Sequence, residues 1–189
     1  MVQRPASAPR QIMPRDLRAI ELSSSRLNLR SFSPTDAVEV FSAVTPTLTR
    51  FMTWDPSNSL REFEDIWREW LPAMEAGINL HLVIRLVSNA ELLGVAGLHN
   101  IGLAEPELGI WIKESAQGMG YGRETMAALI QWASSHFGVA AFTWPVAEEN
   151  ARSRRLAEAL NGAIVGNIER RKYTALVYRI PATSAVAEG

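Results

Sequence analysis

The chain has 189 residues, 47% hydrophobic and 21% charged, with six Trp, no Cys and a formal net charge of -1. That length suits one domain with a sizeable core, and the composition is too apolar and too nearly neutral for a disordered chain. The same figures exclude a disulfide framework, a zinc–thiolate site and a thiol nucleophile, and they argue against a general nucleic-acid binder. No apolar run approaches the roughly 20 residues that span a bilayer. His81, His99 and His136 stand too far apart for a metal-ligand motif, so no metal is expected.

Residues 1–18 carry four Arg and three Pro but no apolar stretch, which is not a secretory pattern. Residues 1–20 are expected to form a flexible arm and 181–189 a disordered tail. Leu27 and Leu29 alternate with Arg26, Asn28 and Arg30, which predicts a strand with one buried face. Ser33-Pro34-Thr35-Asp36 then opens a helix: Ser33 can cap, Pro34 presets the first turn, and Asp36 completes a capping box. A Trp-bearing loop, Arg50 to Pro56, precedes Phe63, Ile66, Trp67, Trp70, Leu71 and Met74, whose spacing predicts an amphipathic helix over 60–75.

Apolar, β-rich runs follow at 80–87 and 92–98, joined through Ser88-Asn89-Ala90 as a hairpin, with a third at 108–112. Met126, Leu129, Ile130, Ala133 and Phe137 predict a helix from Gly122. A strand at 140–146, a helix over 149–160, and an antiparallel pair at 163–168 and 173–180 complete the chain. The order β-α-α-β-β-β-α-β-α-β-β groups strands centrally with helices on their connections. It predicts a mixed α+β domain over 21–180.

Three features can carry chemistry. Gln117-Gly118-Met119-Gly120-Tyr121-Gly122 lies between a strand and a helix start. Its bare backbone and unpaired first-turn amides suit an anion, usually a phosphate; the same glycines also suit a tightly packed turn. It is neither a dinucleotide fingerprint, since Arg123 stands where a third Gly is needed, nor a Walker loop. Asn150 and Ser153 open the next helix one turn apart, so both can face one ligand, and Asn150 can equally be a simple cap. Glu107 enters an apolar strand; a desolvated carboxylate there is a candidate general base, and an exposed strand-end glutamate is the plainer alternative.

In this order the three features resemble the GNAT superfamily of N-acetyltransferases, closest to the RimJ/RimL type. The signature Arg/Gln-x-x-Gly-x-Gly/Ala is met by Gln117, Gly120 and Gly122. Arg26-Leu27-Asn28-Leu29-Arg30, the Arg50 to Pro56 loop, Gly97-Leu98-His99-Asn100, Glu107 to Trp111, and Asn150 with Ser153 extend the likeness from about Arg26 to Ile180. It implies a mostly antiparallel sheet of about seven strands with about four helices, the fourth and fifth strands splayed. Pro145, which cannot donate to a ladder, suits such a splay.

The resemblance further implies an acetyl-CoA-dependent transfer of acetyl to a primary amine, without a metal. Acetyl-CoA would rest on Ile112, Gln117, Gly118, Met119, Gly120, Tyr121, Gly122, Arg123, Asn150 and Ser153. Glu107 would be the base and Ser153 the thiolate contact, since the position of the tyrosine used by many relatives is Ala157. Trp54, Asp55, His99 and Glu105 would meet the acceptor, the carboxylates attracting a cation. Expected acceptors are a peptide or protein N-terminal α-amine, or alternatively a small amine such as an aminoglycoside, polyamine or amino-acid derivative. A non-catalytic acyl-CoA-binding module is the third reading. The type is cytoplasmic, with no nucleic-acid or membrane partner. Leu160-Asn161-Gly162-Ala163 departs from the family's Leu-Gly-Phe, but Asn161 can take the left-handed cap.

Overall fold

Buried and half-buried side chains alternate along Leu27–Ser31, so the period-two pattern is realised as a strand whose Leu27 and Leu29 are wholly enclosed. The computed structural model describes residues 16–182. In chain order the elements are β1 (Glu21–Ser23), β2 (Leu27–Ser31), α1 (Ala37–Ala43), α2 (Pro46–Thr49), α3 (Leu60–Glu75), β3 (Leu80–Leu86) and β4 (Leu92–His99). They continue with β5 (Glu107–Ile112), α4 (Tyr121–Phe137), β6 (Ala141–Ala147), α5 (Ala151–Ala159), β7 (Ala163–Glu169) and β8 (Thr174–Pro181).

The α+β class holds, with eight strands and five helices among the described residues where seven and four were expected. The additions are β1, three residues long, and α2, a single turn after Thr45, whose side chain accepts from the Leu48 amide. Both are too short for periodicity to reveal. The Ser33–Asp36 box forms: Asp36 accepts from the Ser33 amide at 3.0 Å, and a 3-10 turn leads into α1.

Most of the expected arm, residues 1–15, and the tail at 183–189 lie outside the described residues. The described part of the arm belongs to the folded body instead. Leu17 is fully buried, its amide donates to Met74 O at 3.0 Å, and its carbonyl accepts from Ser31 Oγ. At the other end Pro181 pairs with Ala141 within the sheet.

The sheet order is β1-β2-β3-β4-β5-β6-β8-β7. All neighbours are antiparallel except β5 and β6, which are parallel and meet at a single residue pair, Glu107 with Thr143. Beyond it the two strands part. The Thr143 amide donates toward β5, to Pro106 O at 3.0 Å. Amides two residues apart on a strand point the same way, so the next one facing β5 would be that of residue 145. Pro145 has none, and the ladder has nothing to continue with.

Helix α4 packs against β1, β2 and β5, while α1 and α3 pack against β4 and β3. The α3 stripe drives this packing. Phe32 meets Trp70 edge-on at 5.0 Å and Phe63 meets Trp70 at 5.8 Å. Each enclosed large side chain contributes about 1.5–3 kcal/mol. Directly opposed residues share a face of a sheet. The registers His81–Gly97, Gly97–Gly109 and His99–Glu107 therefore put His81, His99 and Glu107 on one face. Trp70 of α3 stacks on His81 at 4.2 Å, so this is the α3 face.

Candidate active site

The gap between β5 and β6 opens into a cleft of about 1630 Å³ that reaches from the glycine-rich loop to the Trp-bearing loop. At the loop end, Gly118 and Gly120 have φ of +83° and +82°, a left-handed backbone that glycine adopts without strain. Gly120 caps α4 with no side-chain partner, and the first intrahelical bond runs from the Glu124 amide to Gly120 O at 3.2 Å. The amides of Tyr121, Gly122 and Arg123 thus have no intrahelical acceptor, and with the helix dipole they favour an anion there. Arg123 is exposed beside them, and Met119 is exposed on the loop.

Neighbours hold this loop in place. Gln117 donates to Ile112 O at 2.8 Å and accepts from Arg152 of α5, tying the end of β5 to the next helix. Arg26 of the first sequence motif donates to Met119 O at 3.1 Å, and its guanidinium lies 4.7 Å above the Tyr121 ring. Across the cleft, Asn150 caps α5 by accepting from the Ser153 amide at 3.1 Å. Its carbonyl oxygen is thereby occupied, and its amide group remains a donor. Asn150, Ser153 and Ile112 all line the cleft.

Glu107 is half-buried at the point where β5 and β6 part. Burial pushes its carboxyl above the ordinary range, and the nearby Arg170 charge partly offsets this. A raised, partly desolvated carboxylate in a cleft is a candidate proton acceptor. His99 lies beside it in the cleft. Its ring covers Gly97 so closely that a β-carbon there would sit 2.4 Å from Nε2. The His81 and His99 rings meet at 5.3 Å, and burial lowers the pKa of both, with His81 down to about 3. They are neutral aromatic walls at physiological pH. No group of His, Asp or Glu among the described residues could hold a metal ion.

The acceptor-side expectations divide. Trp54 and His99 line the cleft, and the Trp54 carbonyl accepts from Lys172 Nζ at 2.7 Å. Asp55 and Glu105 are not part of the lining. Asp55 is paired with Arg171 at 2.8 Å and also with Lys172, and Glu105 with Arg179 at 2.7 Å. Their charge is answered by the chain's own cations, so neither stands free to draw in a cationic acceptor. Two unforeseen residues enter from the β7–β8 turn, Arg170 and Tyr173. Burial raises the Tyr173 phenol, with Arg170 opposing and Glu107 adding to the shift. Nothing in the local sequence marks that turn as part of the site; only the order of strands brings it there.

No curated protein matches the chain by sequence. Among solved structures it is similar to RimL, the ribosomal L7/L12 α-N-protein acetyltransferase in complex with coenzyme A. The TM-score is 0.77 at 17% identity, covering 86% of this chain and 98% of that one. It is also similar to Mycobacterium smegmatis RimJ in complex with CoA-disulfide, at TM-score 0.72, 18% identity and 82% of each chain. Spermidine N-acetyltransferase from Vibrio cholerae, solved with CoA and spermine, gives 0.70 and 18% over 83% of this chain and 95% of that one. At such identities the likeness establishes the fold. The acetyltransferase (GNAT) domain family matches residues 26–162, which span the glycine-rich loop, the parted strands and the start of α5, and the chain belongs to that family of acetyltransferases.

Proposed function

We propose that the chain transfers acetyl from acetyl-CoA to the α-amine of a peptide or protein N-terminus in the cytoplasm. The observation that carries this is one cleft with an uncapped, glycine-lined helix start at one end and the half-buried Glu107 at the other. Acetyl-CoA supplies the acetyl group already activated as a thioester. The amides of Tyr121, Gly122 and Arg123 suit its diphosphate, with the loop from Gln117 to Gly120 shaping the approach. The free donor of Asn150 suits a carbonyl of the pantetheine arm, and the hydroxyl of Ser153 suits the departing sulfur. An amide near Ile112 suits the carbonyl oxygen as charge develops on it. Glu107 accepts the proton of the attacking amine, directly or through one water.

The test couples binding to turnover. Acetyl-CoA should raise the melting temperature by mass action, and thiol should be released with N-terminal peptides. No shift at millimolar acetyl-CoA would refute the donor. Release with small amines and none with peptides would favour the small-amine reading. Binding without turnover on a broad amine panel would favour a non-catalytic module.

A further inference from the structure

The charges around Glu107 bear on what kind of acceptor fits. Among the described residues, the Arg170 guanidinium has no ion pair and no side-chain hydrogen bond. Its backbone is nonetheless fixed, the amide donating to Tyr173 O at 2.9 Å. It is half-buried, lines the cleft with Glu107, and is close enough for its charge to act on both Glu107 and Tyr173. No ion pair joins Arg170 to Glu107, so each can receive a separate group. Trp70, Trp111 and Trp144 line the same cleft and carry no charge.

The two carboxylates expected to draw in a cation are already answered. Asp55 and Glu105 are held by cations outside the lining. Arg50 and Glu149 both line the cleft and, with Glu148 and Lys172, a smaller adjoining cavity of about 480 Å³ in which both signs of charge meet. A polycation received at Glu107 would bring a second ammonium toward the Arg170 charge, and like charges so placed discriminate against that ligand.

Building on the acetyltransfer reading above, we propose that the acceptor carries one amine and one anionic group on an otherwise uncharged body. The amine is received at Glu107 and the anion at Arg170. A guanidinium holds a carboxylate through two parallel hydrogen bonds, which fixes orientation as well as charge. The anion can be the side chain of an acidic residue at a peptide N-terminus or the carboxylate of a free amino acid.

Thiol release at saturating acetyl-CoA separates these sources and tests the assignment. The panel holds peptides with an acidic residue at position one or two, the same peptides with that residue amidated, a neutral free amino acid with its amide, and spermidine. An anionic acceptor should exceed its matched amide by about tenfold in kcat/KM, through KM, as expected for one charge-assisted contact. Arg170→Ala should abolish most of that ratio and leave the KM for acetyl-CoA unchanged. Arg170→Glu should turn the preference toward spermidine. Equal rates for acid and amide, or a wild-type preference for spermidine, would overturn the assignment while leaving acetyltransfer intact. Absence of thiol release above the amine-free background with every amine of the panel would overturn acetyltransfer and the assignment with it.

Discussion

Glu124, in the first turn of α4, binds Arg26, the residue just before β2, through both backbone and side chain. Its carboxylate accepts from the Arg26 amide at 2.9 Å and from Nε at 2.7 Å, and pairs with Nη2 at 2.6 Å. Ser24 Oγ adds a fourth contact at 2.6 Å. Burial alone would raise this carboxyl, but the hydrogen bonds from Ser24 and Arg26 hold it below the usual range. Arg26 in turn reaches Met119 O, so the entry to β2 grips the glycine-rich loop from outside the cleft.

Glu124→Ala should therefore loosen the loop without touching Glu107. Arg26 is exposed, so water replaces part of what its amide and guanidinium lose, and the cost is about 0.5–1.5 kcal/mol. We expect a lower melting temperature and a several-fold weaker Kd for acetyl-CoA, with kcat at saturation little changed. Calorimetric titration and steady-state kinetics check this; an unchanged Kd would show that the loop holds its shape unaided.

Glu107→Gln should trade activity for stability. The raised carboxyl means that the folded chain keeps its proton at pH values where the unfolded chain has lost it. Stability from this group therefore falls as pH rises through that window and stays lower above it. At neutral pH the Gln variant should melt higher than wild type. Its turnover should fall by a hundredfold or more, on the order of a lost general base, with acetyl-CoA affinity retained. In wild type, activity should drop as pH falls through the Glu107 transition, because the protonated form cannot accept the amine proton. Equal turnover in the variant would remove Glu107 from the chemistry.

Local patterns showed long elements and the glycine-rich loop, because both obey rules that act within a few residues. The α3 stripe was legible from its spacing, and α3 spans 60–75 as expected. The departure at Asn161 was legible too, since a left-handed cap needs only a tolerant residue, and its φ is +59°. What stayed hidden depends on register and topology. His81 and His99 are 18 residues apart in sequence, and only the β3–β4 register and the bare Gly97 under the His99 ring bring them together. Arg170 and Tyr173 enter because β8 lies beside β6. The neutralised state of Asp55 depends on Arg171 and Lys172, more than a hundred residues away in sequence and not foreseeable from the loop.

Gly97→Ala tests the packing of His99. The added β-carbon would meet His99 Nε2 at 2.4 Å, while at Gly109 the same atom is 3.3 Å away. The ring lies at the end of a side chain next to open cleft, so it can swing aside without moving a strand. A cost of about 1–3 kcal/mol is expected for such overpacking. The displaced imidazole should narrow the acceptor end, raising acceptor KM several-fold and sparing the KM for acetyl-CoA. Gly109→Ala should show the same pattern more weakly. A rise confined to the acetyl-CoA KM would place His99 on the donor side instead.

His81 makes a prediction about acid. Burial, with the charge of His99 adding to it, holds its imidazole down to about 3, against about 6.5 in an unfolded chain. Between those values the unfolded chain binds a proton that the folded chain refuses, so stability falls as pH drops from about 6.5 toward 3. One such group contributes up to about 1.4 kcal/mol per pH unit. His99, lowered by burial as well, acts in the same direction, and Trp70, stacked on His81 at 4.2 Å, offers no charge to relieve it. His81→Phe keeps an aromatic ring against Trp70 but cannot titrate. Urea melts from pH 7 to 4 should show a shallower loss of stability in the variant than in wild type. Parallel slopes would mean that the imidazole accepts its proton within the fold, and that the rings facing the cleft are less enclosed than their packing indicates.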